Sequence, residues 1–226
     1  MPRPQREVVF VRHGEAHCNL DGVMASQSCR GLTNSGHRQA AQLAQRLYVE
    51  ERDEGRPIVA LFSSTVRRAL DTAQPIAELL GTGIVLRADL RVPDPGPHAD
   101  GHSWDEIRRR WRPDPDRPSR PLVDGGESWR TYLNRAHASL AGIFGSHPGG
   151  RVVVVGHSET VTAAITLLLG TPELNALKFD VDHTGITRLI ATPEHPRVSL
   201  AFQRWGVTAH NDINHLNNPS APVAQR

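Results

Sequence analysis

Three apolar runs in this chain stop on side chains that could handle phosphate. Val8-Val9-Phe10-Val11 ends on Arg12, His13, Gly14 and Glu15. Ile58-Val59-Ala60-Leu61-Phe62 leads through Ser63 and Ser64 to Arg68, and Arg151-Val152-Val153-Val154-Val155 ends on Gly156, His157 and Ser158. An arginine offers a planar fork of N–H donors matched to phosphate oxygens, and a neutral imidazole can attack phosphorus or carry a proton near pH 7. Two forks and two imidazoles on one edge would make a phosphoryl-transfer site, with helices opening at Ser64 and Ser158 adding backbone N–H donors. Each motif alone is weak, because a single His is more often a hydrogen-bonded structural residue; the convergence of three carries the chemistry.

That convergence requires the runs to be neighbouring strands. Consecutive apolar residues bounded by charge are the pattern of strands buried on both faces, as in a parallel sheet, whose ligands gather at the carboxyl ends. Between them, Ala40, Leu43, Ala44 and Leu47 share a helical face over residues 37–48, behind a Thr33 or Asn34 cap. A second helix opens after Ser64 and reaches Leu80, with Pro75 expected to kink or split it. Others are expected from about Ser128 to Phe144 and from Glu159 to Leu169, with further strands at 84–87, 186–191 and 198–205. Alternating strands and helices imply an α/β fold, a three-layer α/β/α sandwich with a mostly parallel central sheet. Residues 1–226 read as a single domain. Within it, 88–124 is rich in Pro, Asp, Arg and Gly around one short helix near 103–111 and reads as a substrate loop or lid; the polar stretch 207–226 reads as a loosely ordered tail.

Composition limits the partners. The 226 residues carry 26 Lys and Arg against 24 Asp and Glu, a formal net charge of +2 that is too balanced for a general nucleic-acid binder. No apolar stretch is long enough to span a bilayer, and the N-terminus lacks the apolar segment of a signal peptide, so no membrane partner and a cytoplasmic location are expected. Cys18 and Cys29 then read as free thiols and bystanders. His210 and His215 lack the cysteine or carboxylate partners of a metal site and read as loop residues, His215 packing near the site; no metal or other cofactor is expected. The run from Arg108 to Arg112 reads as a solvated helix face, whereas Arg117 and Arg120 suit a mouth for something anionic.

Taken together, Arg12-His13-Gly14-Glu15 with Asn19, Leu32-Thr33 before a helix, Ser63-Ser64 with Arg68-Ala69, Gly126-Glu127-Ser128, Gly156-His157, and Asn211 with His215-Leu216 follow one family order. In these motifs the chain resembles the histidine phosphatase superfamily, also called the phosphoglycerate mutase-like family. The resemblance implies that fold and a metal-independent phosphomonoesterase of the histidine acid type, acting on a small-molecule phosphate ester. His13 would attack phosphorus and become a phosphohistidine, splitting one hard displacement into two easier ones. Arg12, Arg68 and His157 would hold the equatorial oxygens, with Asn19 assisting. Glu15, Ser158 and Glu127 join the phosphate and substrate contacts, Glu15 chiefly as a hydrogen bond that fixes the loop. A homodimer is left open.

The chain departs from the family pattern at one position. Members commonly carry a glutamate after a Leu-Arg-like pair following the third strand, acting as general acid and then as base; here Leu90-Arg91 is followed by Val92, which cannot move a proton. The nearest substitutes are Asp94, His98, Asp100 and His102, with Glu127 more distant. Asp94, held between Pro93 and Pro95, is the residue expected to take the role. Two other outcomes stay open: a phosphomutase that returns phosphate to a substrate carbon and, because of Val92, a non-catalytic phospholigand-binding protein.

Overall fold

Side chains alternate faces along a strand, so each Val-rich run feeds two cores. In a computed structural model that describes residues 6–111, 117–170, 179–191 and 205–217, Val8 and Phe10 of β1 (Arg6–Arg12) lie beside Val152 and Val154 of β4 (Gly150–Gly156) and Ala60 and Phe62 of β2 (Ile58–Ser64). These pack against α5 (Trp129–Ser146) and α6 (Ser158–Leu169). Val9, Val11, Val153, Val155 and Leu61 face the other way, onto Leu43, Ala44 and Leu47 of α2 (Asn34–Glu54) and Ala69, Ala73 and Ile76 of α3 (Arg67–Leu80). The result is the expected three-layer α/β/α sandwich. Its six strands are ordered β3-β2-β4-β1-β5-β6, where β3 is Ile84–Arg87, β5 is Ile186–Ala191 and β6 is Trp205–Asp212. The pairs β1 with β4, β4 with β2 and β2 with β3 are parallel, while β5 runs antiparallel to β1 and β6 antiparallel to β5. Among the described residues no helix is long and apolar enough to cross a membrane.

Several elements differ from their sequence expectation. Helix α2 is longer than the 37–48 stripe at both ends, because the Thr33 hydroxyl accepts from the Gly36 N–H at 3.0 Å and Gly55, at φ 59°, ends it in the left-handed region. Helix α3 starts at Arg67 rather than Ser64 and runs unbroken through Pro75, which removes one N–H while Ala69, Ala73 and Ile76 still bury the same stripe. The last strand is Trp205–Asp212, not 198–205, whose first seven residues lie outside the described residues. Residues 207–217 are therefore not a loose tail. They form edge strand β6 and a short helix, α7 (Asn214–Asn217), and polar residues suffice there because an edge strand needs no apolar partner on its far side.

Two features brace the ends of the sheet. At the amino ends, Glu7, 2% exposed, meets the 1%-exposed Arg151 at 2.6 Å, Arg56 at 2.8 Å and Arg188 at 3.1 Å. At the carboxyl ends, the loop after β1 lies directly on the first turn of α2: a Cβ at Gly36 would fall 2.0 Å from the Glu15 carbonyl oxygen. Gly36→Ala is expected to push that loop away and cost about 1–3 kcal/mol, read as a Tm lower by roughly 2–12 °C.

The described part of the 88–124 segment, residues 88–111 and 117–124, packs onto the loop after β1. Met24 N donates to His102 O at 2.9 Å, Gly101 N to Met24 O at 2.7 Å and Trp104 N to Gly22 O at 3.0 Å. The Asp100 carboxylate accepts from the Ser26 and Ser28 N–H groups and the Ser28 hydroxyl. Ala99, Ile107 of α4 (Trp104–Trp111) and Val123 form a small core of their own, closed by Met24 and Leu122.

Candidate active site

His13 follows β1 directly and is 3% exposed, its N–H donating to Gly156 O at 2.9 Å at the end of the neighbouring strand. Its Nδ1 lies 2.7 Å from Gly14 O and its Nε2 accepts from Arg68 Nε at 2.9 Å. A carbonyl can only accept and a guanidinium can only donate, so these partners assign the tautomer: Nδ1 carries the proton and Nε2 presents a lone pair. Arg68, in the first turn of α3, also donates to Ala25 O at 2.8 Å. Thr72, one turn further, accepts from Gly14 N at 3.0 Å and donates to Arg68 O at 2.7 Å, tying the loop to the helix that carries the arginine.

The His157 ring stands edge-on behind His13, centroids 5.3 Å apart, at the N-cap of α6. Its Nε2 is 3.0 Å from Ser64 Oγ. Ser64 therefore acts as the last residue of β2 through its hydroxyl, not as a helix start offering backbone donors. Arg12 donates to Val181 O at 2.5 Å and to His183 Nε2 at 3.1 Å. Among the described residues, the buried Arg12 Nε and His157 Nδ1 have no hydrogen-bond partner.

A cavity of about 920 Å³ opens over this group. Arg12, His13, Asn19, Arg68, Glu127 and Ser158 line it, as do Val92 and Glu159, with Trp104, Trp129 and Arg120 toward its walls. Most of the expected site residues thus meet on one edge, and His157 lies directly beneath. Two do not reach the cavity. Glu15 turns to α2, its carboxylate accepting from the Thr33 hydroxyl at 2.7 Å. Asp94, expected as the proton donor, lines a separate depression, with its Oδ1 capping Gly96 N at 2.9 Å. Cys18 lines the cavity and is free, so it is closer to the site than a bystander. His210 and His215 sit in β6 and α7 rather than in loops, bonded to Thr187 and Thr184 at 3.1 and 3.0 Å. Among the described residues no cluster of three His, Cys, Asp or Glu side chains is placed to hold a metal ion.

Sequence reasoning missed His183, whose Nε2 lies 3.2 Å from Asn19 Oδ1 and whose ring centroid is 5.8 Å from that of His13. The signal was positional: β5 is antiparallel to β1, so the residues before β5 arrive at the carboxyl end of β1. Thr184, at φ 58°, donates its N–H to Arg12 O at 3.0 Å and completes that turn.

Burial, then the Arg68 charge, holds His13 and His157 well below the usual imidazole value of 6.5, so both are neutral at pH 7. Burial followed by Arg12 lowers His183 to about 4, and burial followed by Arg46 does the same to His215. Between those values and 6.5 the unfolded chain binds protons at these rings that the folded chain does not. Their contribution to stability is therefore full above pH 6.5 and is lost as pH falls toward 4. Tm is expected to decline from about pH 6.5 to 5, before most carboxylates titrate; a flat Tm across that window would contradict it.

Known proteins are similar to this chain over nearly its whole length. The curated proteins named probable phosphoglycerate mutase GpmB from Cronobacter sakazakii and Klebsiella pneumoniae are 28% and 29% identical, each match covering 97% of this chain and 99% of the relative. A solved mycobacterial glucosyl-3-phosphoglycerate phosphatase in complex with VO3 is 26% identical with a TM-score of 0.73, covering 91% of this chain and 99% of that one. YhfR of Bacillus stearothermophilus, at 23% identity and a TM-score of 0.76 over 93% of this chain and 99% of its own, shares the fold. The family model of the histidine phosphatase superfamily (branch 1) matches residues 8–204. With its strand-end histidines and arginines gathered over one cavity, the chain belongs to the histidine phosphatase superfamily.

Proposed function

We propose that this protein is a metal-independent phosphatase that hydrolyses a small-molecule phosphate monoester through a phosphohistidine on His13. The observation that carries this reading is the fixed tautomer of His13, whose Nε2 lone pair stands beside the Arg68 fork on a cavity wide enough for a metabolite. Arg12, Arg68 and His157 stabilise the phosphoryl group in flight, with Asn19 and the α6 N-terminus at Ser158 assisting. The 88–124 segment supplies one wall and reads the leaving group, and 1–226 acts as one domain. The test is release of inorganic phosphate from an aryl phosphate in the presence of a chelator. Anion binding without turnover would favour the non-catalytic alternative.

A phosphomutase is the second reading, favoured by the name of the curated relatives, probable phosphoglycerate mutase. It would return the phosphoryl group from His13 to a second oxygen of the substrate instead of to water. Incubation with 3-phosphoglycerate, followed by phosphorus NMR, separates the two: a mutase gives the isomer, a phosphatase gives free phosphate.

A further inference from the structure

The position expected to hold the proton donor is filled by Val92, which lines the cavity beside Pro93. Among the described residues, two carboxylates line that cavity, Glu127 and Glu159. Glu127 has both oxygens on the Arg135 guanidinium, at 2.7 and 2.6 Å, and also accepts from Asp94 N at 3.0 Å. Arg135 in turn holds the Asp89 and Val92 carbonyls at 2.7 and 3.0 Å, so Glu127 is the anchor of a loop brace. Three of the other candidates in the loop are committed elsewhere: Asp94 caps Gly96, Asp100 binds Ser26 and Ser28, and His102 pairs with Glu106 at 3.0 Å; the fourth, His98, is exposed and does not line the cavity.

Glu159 differs from all of these. It lies two residues past His157 on the first turn of α6, and its hydrogen bond is from Ser158 Oγ to one oxygen, Oε2, at 3.1 Å. Its charge reaches Arg12, where it opposes the lowering that burial imposes on that guanidinium. A carboxyl that shares the cavity with the nucleophile, whose charge reaches a phosphate-binding arginine and whose Oε1 is uncommitted among the described residues, has what a proton carrier needs. We propose that Glu159 is the general acid and base of this site, in place of the residue that Val92 cannot supply. The inference rests on the phosphohistidine reading above.

In the first step His13 Nε2 forms the N–P bond as the P–O ester bond breaks. The bonding pair passes to the leaving oxygen, which takes the proton of the Glu159 carboxyl and departs as an alcohol. In the second, water attacks phosphorus, the Glu159 carboxylate takes the water proton, and the P–N pair returns to His13. Inorganic phosphate leaves and Glu159 is again protonated.

The test compares Glu159→Gln with wild type on phenyl phosphate, whose leaving group needs a proton, and on 2,4-dinitrophenyl phosphate, whose leaving group does not. Because kcat/KM reports only as far as formation of the phosphoenzyme, it isolates the acid step. The expected loss is about 10²–10⁴-fold for the phenyl ester and under about threefold for the dinitrophenyl ester. Phosphohistidine should accumulate on the variant in rapid quench, since water attack has lost its base. Equal kcat/KM losses on the two esters, or no loss on either, would overturn the assignment. A shift in the ratio with Asp94→Asn and none with Glu159→Gln would return the role to Asp94. If the glutamine variant does not fold, Glu159→Asp keeps the acid with a shorter reach and should give an intermediate ratio; an unchanged ratio would count against Glu159. A wild type that turns over neither ester would overturn the function proposed above, whereas equal losses against an active wild type remove Glu159 alone.

Discussion

Replacing His13 with alanine is expected to lower kcat/KM for 2,4-dinitrophenyl phosphate by roughly 10⁴ to 10⁶-fold, the scale on which covalent mechanisms lose rate when the nucleophile is deleted. The dinitrophenyl ester leaves without protonation, so the whole effect reports the attack on phosphorus. Gly14 O fixes the His13 tautomer at Nδ1, burial keeps the ring neutral, and attack through Nε2 requires the Arg68 Nε–H that it accepts to turn to the phosphate oxygens. An alanine removes the lone pair and leaves the forks of Arg12 and Arg68 in place. Inorganic phosphate should therefore still inhibit, or bind by calorimetry, within about tenfold of wild type. Acid-labile phosphate on the protein should vanish together with turnover. Turnover that survives the substitution would mean that the lone pair beside Arg68 is not the attacking group.

Glu7→Ala should cause the largest single loss of stability, about 3–5 kcal/mol, or roughly 6–20 °C in Tm. Three guanidiniums converge on this carboxylate, and its nearest, Arg151, is 1% exposed and would be left with Glu54 and Glu50 at 2.5 and 4.0 Å. Buried charges stripped of a partner pay their desolvation without return, which is why breaking such a cluster costs more than forming it stabilises. Adding Arg151→Met should cost less than the sum of the two single losses, because the second change removes the charge that the first left unpaired. Burial raises the Glu7 carboxyl, but Arg151, Arg188 and Arg56 outweigh it and hold the group below its ordinary value of 4.5. Its contribution is thus present above pH 4.5 and is lost as pH falls through the lowered folded value. The cluster sits at the amino ends of the strands, away from the site, so activity below the melting transition should persist; lost activity in a folded variant would show unexpected coupling along β1.

The phosphate half of the site was legible because its residues sit at the ends of strands buried on both faces. Such strands leave a continuous apolar run in the sequence, and the residue that follows the run must emerge at the sheet's edge. Arg12, His13 and His157 are read that way, and Arg68 follows from the helix that β2 feeds. Strand β6 was misplaced because an edge strand with polar residues leaves no such run. Pro75 and the start of α3 were misjudged because tertiary packing of the apolar stripe overrides a local breaker.

What the sequence determined by itself was the family order of motifs, the layered fold, the strand-end histidines and arginines, and Val92 at the position where the resemblance expects a glutamate. Each follows from residue type and position along a regular element, where direction repeats with period two or 3.6. The tertiary structure decided which side chains face the cavity. Asp94 is nearer in sequence to the empty position, yet the turn into Gly96 aims it away, while Glu159 is 67 positions beyond Val92 and lines the same cavity. His183 reaches Arg12 only because β5 runs antiparallel to β1. Loop direction and strand polarity arise from contacts between distant segments, and no local pattern encodes them.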